Sequence, residues 1–396
     1  MRVCIVTPRY PPNTKGGGEI SCSILARELS KYCDVEVISF DGDITSKSEI
    51  DGVKVTRIKA CPLSASQSKI PINLQAFNYL KKRVKDYDIF HTYNMDLMPA
   101  VGLLTKLYGI RSVATLNGTV FSSQGEWYHK YKTSSDIRAK LVGIAFILRN
   151  KLMMPAIKNI NYFTTLCPFC KEKFGEDGIP LEKIKIIPNM LDPNFKVLAK
   201  RRNKKKVRIL YMGQFRWRKG VDILLSAYSL LKKQNVELII VGYGEPILGY
   251  YGRNRRNLEQ MVESLKIKND VRFLERIPYE KVPALYSTVD IFVQPYRYPE
   301  PIGRTLLEAL QSGVCVITTG NNYYSPIIKN MEHGVLIYPC TPEKLAEKIQ
   351  MLIDNPDLRE KLAKNGQQRV WEVCAPQKII PQYIEIYEKL KAAREN

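Results

Sequence analysis

The sequence predicts an α/β protein made of two doubly wound, parallel-sheet domains. Short apolar strands alternate with helical segments through the first half, the βαβ pattern of a parallel sheet. The pattern restarts with a fresh apolar strand after a basic run at positions 201–206, Arg-Arg-Asn-Lys-Lys-Lys. At 396 residues the chain is too long for one ordinary core and fits two.

In the first half, Val3–Thr7 is a continuous apolar strand, and Glu19–Tyr32 is a helix with apolar residues at Ile20, Ile24, Leu25 and Leu29. Further strands are expected at Val35–Phe40, Val53–Ile58, Ile89–His91, Ser112–Leu116 and Tyr162–Leu166, with helices between them such as Asn73–Lys85. The basic run cannot build a core and reads as a linker, so the domains are expected at 1–200 and 207–375. The second half then offers strands Val207–Met212, Val236–Val241, Val271–Leu274, Ile291–Gln294 and Val314–Thr318. Helices are expected at Val221–Lys232, Asn254–Leu265, Tyr279–Ser287, Gly303–Ser312, Pro342–Ile353, Asp357–Val373 and Pro376–Ala393. In open sheets of this kind, ligands bind beyond the carboxyl ends of the strands. Two such domains on a short linker would face one another across a cleft.

The composition, 45% apolar and 25% charged, is that of a globular protein. No run approaches the roughly 18 apolar residues of a membrane span, and Met1–Thr7 reads as a strand rather than a signal peptide, so a cytoplasmic location is expected. Nine scattered cysteines fit a reducing compartment. The Cys167/Cys170 spacing lacks the second pair a zinc site needs and reads as two buried thiols. The net charge of +22 points to an anionic partner. Residues 51–160 alone hold 17 Lys/Arg against 6 Asp/Glu. Nucleic acid is disfavoured, because neither an interleaved aromatic–basic motif nor a zinc-finger spacing is present.

Candidate chemistry lies just after the strands. Gly16-Gly17-Gly18 stands between the first strand and first helix, where backbone N–H groups can receive a phosphate; a flexible turn would look the same. Gly213–Gly220 (GQFRWRKG) follows an apolar strand and opens a helix, placing Lys219 in its first turn beside Arg216 and Arg218. Cations there oppose the helix dipole, which suggests a bound anion. Glu300 lies in a proline-rich loop, Gly303 opens a helix, and Glu308 falls on that helix. Two carboxylates suited to hydroxyl groups, flanking a helix end suited to a pyrophosphate, describe a nucleotide-sugar site. Asp41-Gly-Asp43 and Asp86-Tyr-Asp88 match a metal-binding DxD spacing but read as solvated turns, so no metal is expected.

Taken in order, these segments resemble the family 4 retaining glycosyltransferases of the GT-B fold. The resemblance rests on the opening strand and glycine loop, Ile187-Pro-Asn-Met-Leu-Asp192, Gly213…Lys219-Gly220, Leu238-Ile-Ile-Val-Gly242-Tyr-Gly244, and the EX7E segment Glu300–Glu308 with its trailing Glu-Ala-Leu-Gln-Ser-Gly-Val-Cys-Val-Ile. It implies that Lys219 binds the donor diphosphate, Glu300 the donor sugar and Glu308 the ribose. It also implies that Gly303 and Arg304 cover the pyrophosphate, that Gln214, Arg216, Arg218 and Thr305 line the donor site, and that Gly17 and Gly18 approach the pyrophosphate from the first, acceptor-side domain. His91 corresponds to a histidine often found after the strand that ends in Asp-Ile-Phe-His and, with Lys219 and Glu300, is expected to be catalytic; Asn94 and Asn117 fall on the acceptor side, and the helix from Pro376 returns to the first domain.

The chain departs from the family at three places: Gln214 replaces an arginine, Asn117 replaces a histidine in Thr115-Leu-Asn117-Gly118, and Asn321–Pro326 lacks the usual glutamate. The implied reaction moves a hexosyl unit from a UDP- or GDP-sugar to a hydroxyl of a glycan or lipid-linked glycan, with retention and no cofactor. A GT-B nucleotide-sugar binder with reduced catalysis, an inverting transferase and an epimerase stay open. Segment Ile137–Ile160 mixes apolar and basic residues, which suits either an interfacial helix on an anionic membrane or a buried helix with basic ends.

Overall fold

The computed structural model describes residues 1–14, 16–62, 69–117, 137–200, 206–232, 235–242, 255–297, 300–320 and 327–393. Gly118, Gly244, most of the basic run (201–205) and segment 321–326 lie outside them. The chain divides into two compact units, Met1–Met190 with Pro376–Asn396, and Leu191–Ala375. The boundary expected at residue 200 therefore shifts. Leu191 and Phe195 are buried in a core cluster of the second unit. Asp192 anchors the segment, accepting from the Tyr279 hydroxyl at 3.1 Å and, through its carbonyl, from Gln311 Nε2 at 2.9 Å.

The first unit holds β1 (Arg2–Thr7), β2 (Asp34–Gly42), β3 (Ser46–Ile50), β4 (Val53–Lys59), β5 (Ile89–Tyr93), β6 (Ser112–Leu116), β7 (Tyr162–Thr165) and β8 (Ile184–Ile186). Their order in space is β3-β4-β2-β1-β5-β6-β7-β8. Neighbours run parallel except β3 and β4. Strand β3 was not expected, because Ser-Lys-Ser-Glu-Ile has no apolar run and is largely exposed. Backbone pairing holds it to β4 through a tight turn in which Asp51 and Gly52 both take positive φ, 51° and 75°.

Alternate residues of β1 point to opposite faces, as strand geometry requires. Val3 and Ile5 pack with helix α1 (Gly17–Leu29) and the closing helix Pro376–Ala392. Cys4 and Val6 pack with α2 (Ile70–Leu80) and α3 (Met98–Tyr108), and the same face continues under α4 (Ile137–Ile157) and α5 (Pro168–Glu176). Gly102 permits a very close α3–α4 contact: a Cβ there would lie 2.0 Å from the Ala156 carbonyl oxygen. No helix of the described residues is long and apolar enough to cross a membrane.

The second unit holds β9 (Val207–Met212), β10 (Val236–Val241), β11 (Val271–Leu274), β12 (Ile291–Gln294), β13 (Cys315–Thr319) and β14 (Val335–Ile337). They form a parallel sheet in the order β11-β10-β9-β12-β13-β14. Its helices are α6 (Val221–Ser229), α7 (Arg255–Ser264), α8 (Val282–Tyr286), α9 (Arg304–Gln311), α10 (Pro342–Asp354) and α11 (Pro356–Cys374). Strand order reverses at β1/β5 in the first sheet and at β9/β12 in the second. A crevice opens at such a switch, and loops from its two strands lie side by side.

His91, expected in catalysis, is instead a packing residue. It is fully buried. Its Nδ1 hydrogen-bonds to the Tyr387 hydroxyl on the closing helix at 2.6 Å, and its Nε2 to Thr115 Oγ1 at 2.7 Å. Both ring nitrogens are thus occupied by protein partners. Burial lowers its pKa from 6.5 to about 3, so the ring is neutral in the folded chain. Between those values only the unfolded chain takes up the proton. The associated stability is present above 6.5 and is lost as pH falls toward 3, at up to about 1.4 kcal/mol per pH unit. Thermal melts between about pH 7 and 5 should show this decline, and His91→Gln should flatten it. Tyr387→Phe, which leaves a buried ring nitrogen unpaired, should cost about 1–3 kcal/mol in denaturant unfolding.

Candidate functional site

The β9/β12 switch brings together the loops that the sequence singled out. After β9 the chain makes a 3₁₀ turn, Trp217–Lys219, before α6 begins at Val221. Lys219 therefore precedes the helix rather than lying in its first turn. Gly220 makes the junction at φ 65°, and a Cβ there would sit 1.8 Å from the Pro295 carbonyl oxygen at the end of β12. Only glycine lets the two loops approach this closely.

That approach assembles an ion triad. Lys219 Nζ donates to Glu300 Oε2 at 2.8 Å, and Arg218 Nη1 donates to Glu300 Oε1. Lys219 also lies 4.4 Å from the centre of the Tyr296 ring. Burial drives the Glu300 pKa up, but Arg218 and Lys219 outweigh it and hold the carboxylate below its ordinary range. Burial lowers the Lys219 pKa; Glu300 opposes this, while Arg218 adds to it.

Tyr296 links the triad to α9. Its hydroxyl donates to Gln294 Oε1 at 2.8 Å, and Gln294 Nε2 donates to Thr305 Oγ1 at 2.5 Å. Gly303 caps α9 in an extended conformation, and a Cβ there would meet only the Tyr296 hydroxyl, 3.8 Å away. Backbone N–H groups at this helix start are thus open to a close ligand. Arg304 and Glu308 are both buried on α9, with Nε and Oε1 3.9 Å apart. At that separation Glu308 Oε1 has no hydrogen-bond partner. Burial raises the Glu308 pKa to about 8, with Arg304 opposing and Asp192 reinforcing the shift.

Sequence reading missed the clamp behind the loop. Arg297 donates to Asp222 Oδ1 at 2.9 Å, to Asp222 Oδ2 at 2.5 Å and to the Trp217 carbonyl at 2.6 Å. Its guanidinium stacks 4.7 Å above the Trp217 ring, and its backbone N–H donates to the Arg218 carbonyl at 3.0 Å. These bonds fix the turn that carries Arg218 and Lys219. Gln294 and Tyr296 were also missed, although a glutamine ending an apolar strand was a signal. Gln214 serves here through its carbonyl, which accepts from the Tyr211 hydroxyl at 2.9 Å. Arg216 lies in the same loop, half-buried.

The remaining candidates lie on the first unit. Gly17 opens α1, and a Cβ at Gly18 would meet nothing within 4 Å, so the helix start is open. Glu19, also missed, is buried there, and burial raises its pKa, with Arg9 among the groups opposing. Asn94 follows β5 at φ 90°, unusual for a non-glycine residue, and its Oδ1 accepts the Met95 N–H at 2.7 Å. Neither polar side-chain atom of Asn117, after β6, has a hydrogen-bond partner. Asp41, expected in a solvated turn, is a part-buried anchor. It accepts from Arg57 Nη1 at 2.9 Å, Ser39 Oγ at 2.6 Å and the Tyr10 N–H at 3.1 Å.

Comparison with known proteins agrees with this architecture. The profile "Glycosyltransferase Family 4" matches residues 15–195, and "Glycosyl transferases group 1" matches residues 195–369. An uncharacterized glycosyltransferase of Methanocaldococcus jannaschii is 24% identical over 98% of both chains. A Campylobacter jejuni α-1,4-N-acetyl-D-galactosaminyltransferase, named for a diphosphoundecaprenol-linked glycan, is 24% identical over 89% of this chain and 90% of its own. Sucrose-phosphate synthase from Thermosynechococcus elongatus superposes with TM-score 0.79 at 22% identity, covering 99% of each chain. Anabaena HepE in complex with UDP-glucose superposes with TM-score 0.74 at 17% identity, covering 99% of this chain and 100% of that one. At such identities the structures establish the fold, GT-B. With family profiles matching both halves in succession, the chain belongs to glycosyltransferase family 4.

Proposed function

We propose that this glycosyltransferase moves a hexosyl unit from a nucleoside diphosphate sugar to a hydroxyl of a glycan or lipid-linked glycan, retaining the anomeric configuration. The observation that carries the reading is the triad of Arg218, Lys219 and Glu300 beside the open start of α9. Two cations and a helix end suit the charge that develops on a leaving diphosphate, and in a buried site such groups act strongly. The glycosidic C1–O bond to the diphosphate breaks, and a new C1–O bond forms to the acceptor oxygen on the same face. The acceptor's proton leaves with the diphosphate. Side-chain cations do the work that an ion does in metal-dependent transferases, so we propose a metal-independent reaction.

The Glu300 carboxylate accepts from both cations. A diphosphate would compete for them and free Glu300 to accept hydrogen bonds from sugar hydroxyls. Glu308, one turn into α9, would accept from the ribose hydroxyls, and Arg304 and Thr305 would face the donor diphosphate. Gly17 and Gly18, with Asn94 and Asn117, belong to the acceptor-side unit. UDP-glucose in HepE supports a UDP-sugar as the donor, and a GDP-sugar stays open beside it. The diphosphoundecaprenol glycan named for the Campylobacter relative supports a lipid-linked acceptor, with the enzyme in the cytoplasm at the inner face of the membrane.

Thermal melts with UDP- and GDP-sugars should identify the donor, since a ligand at 100 times its Kd raises stability by about 2.7 kcal/mol. A chain that binds a donor but never releases its diphosphate would be a binding protein instead. Lys219→Ala and Glu300→Gln should each lower kcat by about 10²–10³ with folding intact by circular dichroism. NMR of the first-formed product should show the donor's anomeric configuration; the opposite anomer rules out retention. Because a Glu308 carboxylate accepts stronger bonds from ribose than the neutral acid, donor affinity should rise as pH passes through about 8. Calorimetric titrations across that range should show the rise in the native chain and not in Glu308→Gln.

A further inference from the structure

Helix α4 is buried on one side and apolar on the other. Its inner face is fixed by Met153 and Ile157 in the core and by the close contact of Ala156 with Gly102. Its outer face carries Ile137, Leu141, Ile144, Leu148 and Leu152, exposed by 73, 60, 39, 61 and 71%. Spacings of three and four residues align these side chains along one face, over about 22 Å of helix. The neighbouring helix α3 adds exposed Leu103 and Leu107, at 37 and 59%. Single exposed leucines are ordinary; a continuous aliphatic line on a helix already packed on its other side marks a binding surface.

Charge identifies what it binds. Helix α4 contains Arg138, Lys140, Arg149 and Lys151 and no acidic residue. Lys140, Lys151 and, just past the helix, Lys158 are exposed, as is Lys106 on α3. Protein interfaces favour aromatic residues and arginine and are poor in lysine, whereas this face is leucine and isoleucine fringed by lysine. Pairing with the same face of a second copy would set lysine fringes against each other. Aliphatic side chains entering the acyl boundary, with lysines among the headgroups, suit an anionic bilayer.

We propose that the outer face of α4, extended by α3, docks the enzyme in plane on an anionic lipid surface. The proposal rests on the function above only in that a lipid-linked acceptor would be presented at such a surface; the docking itself stands on the helix face.

The test is co-sedimentation of the full chain with vesicles of phosphatidylcholine, with and without phosphatidylglycerol. Binding is expected to the anionic vesicles at low salt, and to weaken by about tenfold or more at high salt. Leu148→Glu with Leu152→Glu should weaken binding by at least about tenfold, with the melting temperature unchanged because both sites are exposed. Absence of binding by the native chain overturns the proposal, as does equal binding by the double variant. A concentration-dependent dimer in sedimentation velocity that the double variant abolishes would assign the face to a second copy instead. Donor-induced thermal shifts on the same preparations separate the two readings. A shift without vesicle binding removes the docking and leaves transfer standing, and vesicle binding without a shift does the reverse.

Discussion

The parallel pairing of β9 with β12 is the constraint on which the second unit's site depends. Two strands far apart in sequence run side by side, so their carboxyl ends deliver the Gly213–Gly220 loop and the Glu300 loop to one place. Gly220 then removes the one side chain that would hold the loops apart. The result is a largely buried cluster of two cations and one carboxylate, in which each charge is tolerable because the others are present. Such clusters are poor sources of stability, since desolvation consumes much of the attraction. Their retention is better explained by what the charges do when a ligand arrives.

Both units hold their strand-end loops with a part-buried arginine–aspartate pair. In the first, Arg57 binds Asp41 and the carbonyl of Tyr10, and so ties down the loop that leads to the glycines of α1. In the second, Arg297 binds Asp222 and the carbonyl of Trp217. In each case the guanidinium satisfies a carboxylate and a loop carbonyl at once, which its fixed fork of donors allows and a lysine would not. Loops fixed this way can keep phosphate-directed N–H groups and side chains in register without a helix or strand of their own.

Much of this was legible in the sequence, for physical reasons that can be named. Buried parallel strands must be apolar on both faces, so Val207–Met212 and Ile291–Gln294 announce themselves, and the loops after them follow from the fold class. Lys219 and Glu300 were therefore found together. What was not legible depends on partners distant in the chain. Nothing local says that Asp41 meets Arg57, or that His91 meets Tyr387, 296 residues away. Histidine after a strand reads as chemistry until the closing helix is seen to cover it. Strand β3 was missed because its pairing is carried by backbone alone, although the Asp51-Gly52 turn signal was there to be used. Tyr296 and Gln294 act by relaying position between Lys219 and Thr305, a role that no short motif encodes.

The two glutamates of the EX7E segment show how environment divides labour between identical side chains. Glu300 faces Arg218 and Lys219 at hydrogen-bonding distance, and their combined charge keeps it ionised despite burial. Glu308 has one cation nearby, at 3.9 Å and without a hydrogen bond, and burial prevails, raising its pKa to about 8. Near neutral pH the segment therefore holds one carboxylate and one carboxylic acid. A carboxylate can only accept, whereas the acid can also donate. A ligand that supplied hydroxyl donors to Glu308 would stabilise its ionised form and compensate the burial that now keeps it neutral. The spacing of two glutamates fixes where they sit, and the cations around each decide what it can bind.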